Sequence, residues 1–294
     1  MKLPIHVRAE IALALVALLW GGTFVMMKAA LADISSLVFL ALRFSLAGLL
    51  LLFYFRKQTI FRIPAKSFGL AALTGALLMT GYVLQTVGLL TTSPAKSAFL
   101  TGLYIPLTPI FGAILLRRTP LRQELLGLVL AVAGTVLLSW PGERFEMALG
   151  DWLTAGCAVA FALHIMALGH FTPTVGFAPM ACWQILFGAA FAAIGAPLVE
   201  KPFWNPIPST FVAIIVAGVL ATAVAFAVQT WAQQHTSATR AAILFSLEPV
   251  FAWVVSFFVT GEVFAGRSAA GAILVLSGIL FAELKPQAGG GHPS

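Results

Sequence analysis

The chain has 294 residues, of which 60% are hydrophobic and only 9% are charged, and its mean hydropathy is +1.00. A soluble domain of this length does not need so much apolar surface, whereas a polytopic membrane protein does. The net charge of +7 does not indicate nucleic-acid binding, because the basic residues are few and lie scattered between apolar segments. Both cysteines, Cys157 and Cys182, lie inside apolar segments, which excludes a disulfide scaffold.

Apolar windows of about 20 residues, separated by Pro, Gly or charged residues, predict ten membrane-spanning helices. Lys2 and Arg8 precede the first window, as in a signal peptide. That window is longer than a usual signal core and nine more follow it, so we interpret it as an uncleaved span. The predicted spans are residues 9–31, 34–55, 67–90, 95–116, 121–139, 151–170, 177–198, 208–232, 238–260 and 267–284.

The distribution of Lys and Arg predicts the orientation of these spans. With ten spans, eleven Lys and Arg residues lie on the side of the two termini and four lie on the opposite side. Because positively charged loops stay in the cytoplasm, both termini are predicted to be cytoplasmic, in a multi-pass protein of the cell inner membrane. The bias comes mostly from the first half of the chain.

The second half of the chain repeats the first. An offset of 144 residues aligns Gly81–Ser139 with Ala225–Glu283 without a gap and places Lys96 on Arg240. The first two spans align with the sixth and seventh at an offset of about 141 residues. The repeating unit therefore has five spans, and since five is odd, the second copy enters the membrane in the opposite orientation. Inverted repeats are typical of transporters that bind substrate near the midplane, between the halves.

The predicted fold is therefore an all-α integral membrane protein with ten transmembrane helices in two inverted five-helix repeats. The first repeat comprises residues 1–140, the second comprises residues 141–285, and the glycine-containing segment 286–294 is predicted to be a flexible tail. Small residues on the fifth and tenth spans mark faces that pack against each other or against a second subunit. They are Gly127, Gly134, Gly271 and Gly278.

Three groups of residues follow one another along the chain. They are Trp20-Gly21-Gly22-Thr23-Phe24-Val25 with Lys28, then Arg43-Phe44, and then Ser246-Leu247-Glu248-Pro249-Val250-Phe251 with Gly261-Glu262. Together they resemble the EamA family of drug/metabolite transporters, and the similarity covers nearly the whole chain. The resemblance implies ten helices, two EamA repeats and movement of small metabolites, often amino acids or related compounds, usually outward. The first repeat departs from it, with Arg118 where the second has Glu262.

Glu248 lies near the middle of the ninth predicted span, directly before Pro249. A charge at the midplane costs roughly 2.5–3.5 kcal/mol, so an intramembrane acid is first interpreted as functional. Glu248 binds a substrate ammonium group or carries a proton, or it hydrogen-bonds the backbone that Pro249 opens, and these roles are compatible. Phe245 shares its helix face, and the repeat places Thr101 and Tyr104 on the matching face of the fourth span.

Paired polar residues on the third and eighth spans are further candidates. Tyr82 and Gln85 on the third span correspond to Phe226 and Gln229 on the eighth. A glutamine at the same place in both halves indicates either a substrate contact or an interhelical hydrogen bond, and the sequence leaves both open.

Matched stripes also occur on the first and sixth spans, with Trp20 and Thr23 corresponding to Phe161 and His164. Such stripes line a cavity or simply pack between helices. His164 serves in proton coupling or is a buried neutral histidine. Arg43, deep in the second span, is interpreted as a structural clamp that needs a counter-charge, a carbonyl or a lipid phosphate.

Motifs for enzymatic chemistry are absent: the sequence has no His-Glu-x-x-His, no Cys/His metal cluster, no Gly-x-Ser-x-Gly and no phosphate-binding Gly-Lys-Ser/Thr loop. We predict no enzymatic activity, cofactor or metal. A channel usually has rings of like charge or a carbonyl filter, and neither is found.

The predicted function is a secondary-active transporter that exports small metabolites, such as amino acids or related compounds, by alternating access. The alternative is a channel-like or lipid-handling membrane protein without gradient coupling. Predicted partners are a small-molecule substrate, membrane lipid and, as one of two energy sources, protons, but no nucleic acid; monomer and homodimer both stay open. The predicted substrate-binding residues are Trp20, Thr23, Tyr82, Gln85, Thr101, Tyr104, Phe161, His164, Gln229, Phe245 and Glu248.

Overall fold

The computed structural model describes residues 3–58, 60–92, 94–139, 147–205, 207–260 and 266–283, which excludes the Gly261-Glu262 loop and the predicted tail. All the regular elements formed by these described residues are helices, and none is a β-strand. The helices are α1 (Ile5–Gly21), α2 (Phe24–Ala30), α3 (Ser36–Tyr54), α4 (Ala65–Thr91), α5 (Pro94–Thr101), α6 (Tyr104–Leu116), α7 (Arg122–Ser139), α8 (Leu149–Val175), α9 (Phe177–Val199), α10 (Pro208–Gly218), α11 (Ala225–Ala232), α12 (Ala238–Phe245), α13 (Leu247–Thr260) and α14 (Gly266–Glu283), with a π-helical turn at Val219–Val224 between α10 and α11.

Within the described residues, seven helical stretches are long and apolar enough to cross a bilayer. The three other predicted spans contain α7, α12 with α13, and α14. The all-helical, multi-pass class is therefore confirmed, whereas the count of ten spans and the inverted repeat stay predictions. The seven stretches are Ile5–Ala30, Ser36–Tyr54, Ala65–Thr91, Lys96–Leu116, Leu149–Val175, Phe177–Val199 and Pro208–Ala232.

Several apolar segments are interrupted rather than continuous. Breaks separate α1 from α2, α5 from α6, and α12 from α13. The last break has a covalent cause, because Pro249 has no N–H to donate to the carbonyl of Phe245, where α12 ends. Between α10 and α11 the helix widens into the π-helical turn, a distortion that is frequent at functional sites. Interrupted helices are tolerated in a membrane only where protein or a wet cavity covers them.

Two large buried hydrophobic clusters build most of the interior, beside two smaller ones. One is formed mainly by α3, α4 and α9, and the other by α1, α8 and α12. The rings of Trp20 and Phe161 pack against both clusters, so these two residues lie at the boundary between them. Helices from both halves of the chain contribute to each cluster, and the core is therefore shared between the halves.

Helices α7 and α14 pack against each other through paired glycines. A Cβ atom on Gly134 would lie 2.6 Å from the carbonyl oxygen of Gly271, and one on Gly127 would lie 2.6 Å from that of Gly278. Only residues without a Cβ allow backbones to approach so closely. Of the two packing partners left open by the sequence, the structure therefore assigns these faces to each other.

We expect Gly134→Leu to lower the midpoint temperature of thermal unfolding in detergent. Its new side chain would meet the backbone of Gly271 and Val275, neither of which can move aside cheaply, and overpacking costs roughly 1–3 kcal/mol or more. Gly69→Leu is the matched control, because a Cβ there meets nothing within 4 Å. Equal unfolding midpoints for the two variants would contradict the close approach.

Candidate functional site

A central cavity lies at the boundary between the two hydrophobic clusters. The volume that the centre of a water molecule can occupy in it is about 60 Å³. One water needs roughly 10–15 Å³ on this measure, so the cavity has room for about four waters or a small solute group. The five lining residues absent from the predicted set are Met27, Arg43, Leu78, Ile165 and Phe226.

The structure brings all eleven predicted residues together around this cavity. They come from both halves of the chain and from nine helices or their ends. Their role in substrate binding stays a prediction, although their convergence on one space is observed. They are Trp20, Thr23, Tyr82, Gln85, Thr101, Tyr104, Phe161, His164, Gln229, Phe245 and Glu248.

Aromatic rings form much of the cavity wall. The ring centroid of Trp20 lies 5.3 Å from that of Phe226 and 5.0 Å from that of Phe245. Tyr82 lies 5.2 Å from Phe161 and 6.2 Å from Phe226, with its ring edge-on to both. Tilted and edge-on rings at these distances stabilise one another and leave ring surface facing the cavity. The wall therefore suits a solute with an apolar or aromatic portion.

Glu248 brings a carboxylate to the cavity and is 9% exposed. The Tyr104 hydroxyl donates a hydrogen bond to Glu248 Oε2 over 3.4 Å, which is long for an O–H donor. In the described part of the structure, no Lys or Arg nitrogen lies within 4 Å of this carboxylate. That part also shows no bond from Glu248 to the backbone opened by Pro249. The carboxylate is thus held loosely and faces the cavity.

Arg43, which is 1% exposed, brings a positive charge to the same cavity. Its Nε donates to Thr222 Oγ1 at 2.6 Å, and its Nη2 donates to the Tyr82 hydroxyl and the Ala221 carbonyl, both at 3.2 Å. Trp20 Nε1 donates to the same carbonyl at 2.9 Å. Among the described residues no carboxylate lies within 4 Å of the guanidinium. Arg43 therefore clamps α3 to α4 and to the π-helical turn, using neutral acceptors only.

The sequence interpretation of Arg43 as a clamp agrees with these bonds, but it missed the cavity position. The sequence contained a signal for this position, because Arg43 is a charge deep in an apolar span, the same energetic anomaly that singled out Glu248. Phe226 was missed as a lining residue although its repeat partner Tyr82 was included.

The two paired glutamines make different contacts. Gln85 Nε2 donates to Thr101 Oγ1 at 3.1 Å and so links α4 to α5. Gln229 Nε2 donates to Gln233 Oε1 at 3.0 Å, whereas Gln229 Oε1 is buried without a hydrogen-bond partner. A buried acceptor without a donor is costly, and such groups need an explanation. A hydrogen-bond donor on a bound solute would satisfy Gln229 Oε1 and so explain it.

His164 lies at the start of a buried hydrogen-bonded chain. Its Nε2 lies 2.9 Å from Gln184 Oε1, and Gln184 Nε2 donates to Thr230 Oγ1 at 2.9 Å. This chain links α8, α9 and α11. A neutral imidazole that carries its proton on Nε2 meets this geometry, and so does a protonated one, so both interpretations of His164 stay open. Among the described residues no group of three or more His, Cys, Asp and Glu side chains is arranged to hold a metal.

A second cavity, which we call the vestibule, has a volume of about 490 Å³. It lies between the end of α6, the start of α7 and the loop before α12, and its lining includes Thr108, Arg117, Glu124, Gln233 and Ser237. Thr108 and Gln233 are each one helical turn beyond a residue of the central cavity. The partition between the two cavities is therefore about one turn thick.

Comparison with known proteins places the chain in a family. The model of the EamA-like transporter family matches residues 7–140 and 148–284. An uncharacterized transporter of Archaeoglobus fulgidus is 30% identical over 94% of this chain and 86% of its own length. The uncharacterized transporter YdfC of Bacillus subtilis is 23% identical over 91% of this chain and 88% of its own length. A solved crystal structure superposes with a TM-score of 0.79 at 21% identity, covering 94% of this chain and 98% of that one, so the fold is shared. The chain belongs to the EamA-like transporter family, and is a multi-pass membrane protein.

Proposed function

We propose that the protein is a secondary-active transporter that moves a small metabolite, such as an amino acid or a related compound, across the cell inner membrane by alternating access. The observation that carries this proposal is the central cavity, which both halves of the chain enclose. It contains a guanidinium and a carboxylate that are not paired with each other.

Arg43 and Glu248 together favour a zwitterionic solute. A buried charge is stabilised by a partner, and neither side chain has a charged partner within 4 Å among the described residues. A solute carboxylate could accept hydrogen bonds from Arg43, and a solute ammonium could donate to Glu248 and to the unpaired Gln229 Oε1. Aromatic rings between them would hold the remaining apolar part. An amino acid has this distribution of groups.

Contacts between equivalent residues support the inverted repeat. Tyr104 and Glu248 are 144 residues apart, the offset that aligns the two halves, and their side chains touch. Equivalent residues of two repeats meet where they lie next to the axis that relates the repeats. The 18-residue helices α7 and α14 also pair with each other, and at 1.5 Å per residue each is about 27 Å long, close to the hydrocarbon thickness of a bilayer. These observations support ten spans in two inverted units.

The alternative of a channel-like or lipid-handling protein is less well supported. A channel needs a continuous wet path, and the central cavity is a space of about 60 Å³ behind a partition. A lipid-handling groove would be lined by apolar side chains, whereas Arg43, Glu248 and two glutamines face this one.

Proteoliposomes that contain the purified protein test the proposal. Preloading with an unlabelled amino acid should drive saturable uptake of the same labelled compound, and empty liposomes provide the background. Repeating the assay with a pH gradient distinguishes proton coupling from movement down the gradient of the solute itself. Cells that express the protein should retain less of the labelled compound if transport is outward. Conductance that does not saturate with concentration would support the channel alternative.

A further inference from the structure

Two basic residues, Lys96 and Arg240, form ion pairs that connect the halves of the chain. Lys96 Nζ on α5 lies 2.5 Å from Asp151 Oδ2 on α8. Arg240 Nη1 on α12 lies 3.3 Å from Glu10 Oε1 on α1, and Arg240 Nε lies 3.6 Å from Glu124 Oε1 on α7. In every pair one partner belongs to the first half and the other to the second.

The Lys96–Asp151 and Arg240–Glu10 pairs hold equivalent positions in the repeat. Arg240 follows Lys96 by 144 residues, the offset that aligns the later spans. Asp151 follows Glu10 by 141 residues, the offset that aligns the first and sixth spans. The equivalent basic and acidic positions of the repeat thus form an ion pair twice, although the four residues lie on four different helices.

The pairs lie at opposite ends of the central cavity. Glu10 precedes the lining residue Trp20 by ten residues on α1, and Asp151 precedes Phe161 by ten on α8, which is about 15 Å of helix in each case. Lys96 lies near the start of α5, Tyr104 lines the cavity at the start of α6, and α6 ends at the vestibule. Lys96 is therefore on the side of the cavity away from the vestibule. Arg240 and its partner Glu124 are at the vestibule end, since Glu124 lines the vestibule. One pair therefore lies towards each end of the cavity.

Burial makes these pairs suited to opening and closing. Asp151 is 1% exposed and Arg240 is 6% exposed, and the Lys96 side chain, at 17% exposed, is mostly buried. For a buried ion pair the attraction between the charges and the cost of removing both from water nearly cancel. When an end opens, the separated charges regain water, so the open and closed arrangements differ little in free energy. A contact between apolar side chains would instead lose its hydrophobic stabilisation on opening.

We infer that the Lys96–Asp151 pair and the Arg240–Glu10–Glu124 cluster are the two gates of the central cavity, each broken in turn while the other holds. This inference rests on the proposed alternating access. Both gates are closed in the structure, which corresponds to an occluded state. At the vestibule end Arg240 has two carboxylate acceptors, Glu10 and Glu124. Loss of Glu10 alone therefore leaves one interaction in place at the vestibule end.

Thiol labelling from each side of the membrane tests the gates without any solute. Cys157 and Cys182 are replaced by alanine, and Thr23→Cys places a reporter in the cavity. A membrane-impermeant methanethiosulfonate is added to right-side-out or inside-out vesicles. We expect Asp151→Asn to raise the labelling rate at least threefold from one side. Glu10→Gln with Glu124→Gln should raise it at least threefold from the other, and Glu10→Gln alone should raise it less.

Controls separate gating from misfolding. Lys66→Gln removes an exposed charge outside both gates and should leave both labelling rates unchanged. The exchange Lys96→Asp with Asp151→Lys should restore slow labelling. If the exchange variant does not fold, Lys96→Cys with Asp151→Cys should speed labelling from that side, and joining the two cysteines with a bifunctional thiol reagent before the reporter is labelled should slow it again. Unchanged rates in both gate variants, or faster labelling from the same side in both, would overturn the inference. Because no solute is used, these outcomes are independent of whether the transport assay succeeds.

Discussion

Glu248→Gln should reduce the rate of solute exchange in proteoliposomes by roughly 10- to 100-fold. A hydrogen bond to a charged group contributes about 1.5–3 kcal/mol, and each 1.4 kcal/mol is a factor of ten in affinity. The amide keeps nearly the same shape, and its oxygen can still accept the hydrogen bond from the Tyr104 hydroxyl, so the unfolding temperature in detergent should change little. Binding and exchange of a labelled amino acid, measured on the same preparation, provide the test.

The pH dependence of exchange distinguishes the two roles of Glu248. If Glu248 carries a coupling proton, the glutamine variant should still exchange solute but lose its response to a pH gradient. If it binds an ammonium group, exchange should fall at every pH. Glu200→Gln is the matched control, because Glu200 accepts hydrogen bonds from the N–H groups of Leu37 and Val38, away from the cavity. Unchanged exchange and unchanged pH response in Glu248→Gln would leave only a structural role.

Arg43→Met should weaken binding of solutes that carry a carboxylate by roughly 10- to 100-fold, again because a hydrogen bond to a charged group contributes about 1.5–3 kcal/mol. Solutes with an amine but no carboxylate should be affected much less. Methionine keeps an unbranched side chain but loses the five N–H donors of the guanidinium. Titration of an amino acid, its decarboxylated amine and its amide analogue against both proteins measures the difference directly.

Stability measurements separate recognition from clamping at Arg43. Thr222→Val removes the acceptor of the Arg43 Nε hydrogen bond and leaves the positive charge in the cavity. It should lower the unfolding temperature while keeping the preference for carboxylates. If Arg43→Met weakens all three solutes equally and in proportion to its loss of stability, then Arg43 is only a clamp.

Much of the site was accessible from sequence because membrane burial makes polar residues conspicuous. Glu248 was identified from the cost of a charge in an apolar span, and the break after Phe245 followed from the missing N–H of Pro249. The offset of 144 residues then selected Thr101 and Tyr104 on the facing helix. Glu248, Phe245, Thr101 and Tyr104 all line the cavity, since hydropathy determines depth and helical periodicity determines the shared face.

By itself, then, the sequence determined the helical class, the approximate limits of the helices and the faces that carry polar residues. Only the tertiary structure decided which helices are neighbours. It placed Arg43 on the cavity, paired α7 with α14, and joined Lys96 to Asp151 across 55 residues of chain. The reason is physical: depth and face are local properties of one helix, whereas adjacency depends on how side chains of distant helices fit together. The ion pairs that we propose as gates could be recognised only after that packing was known.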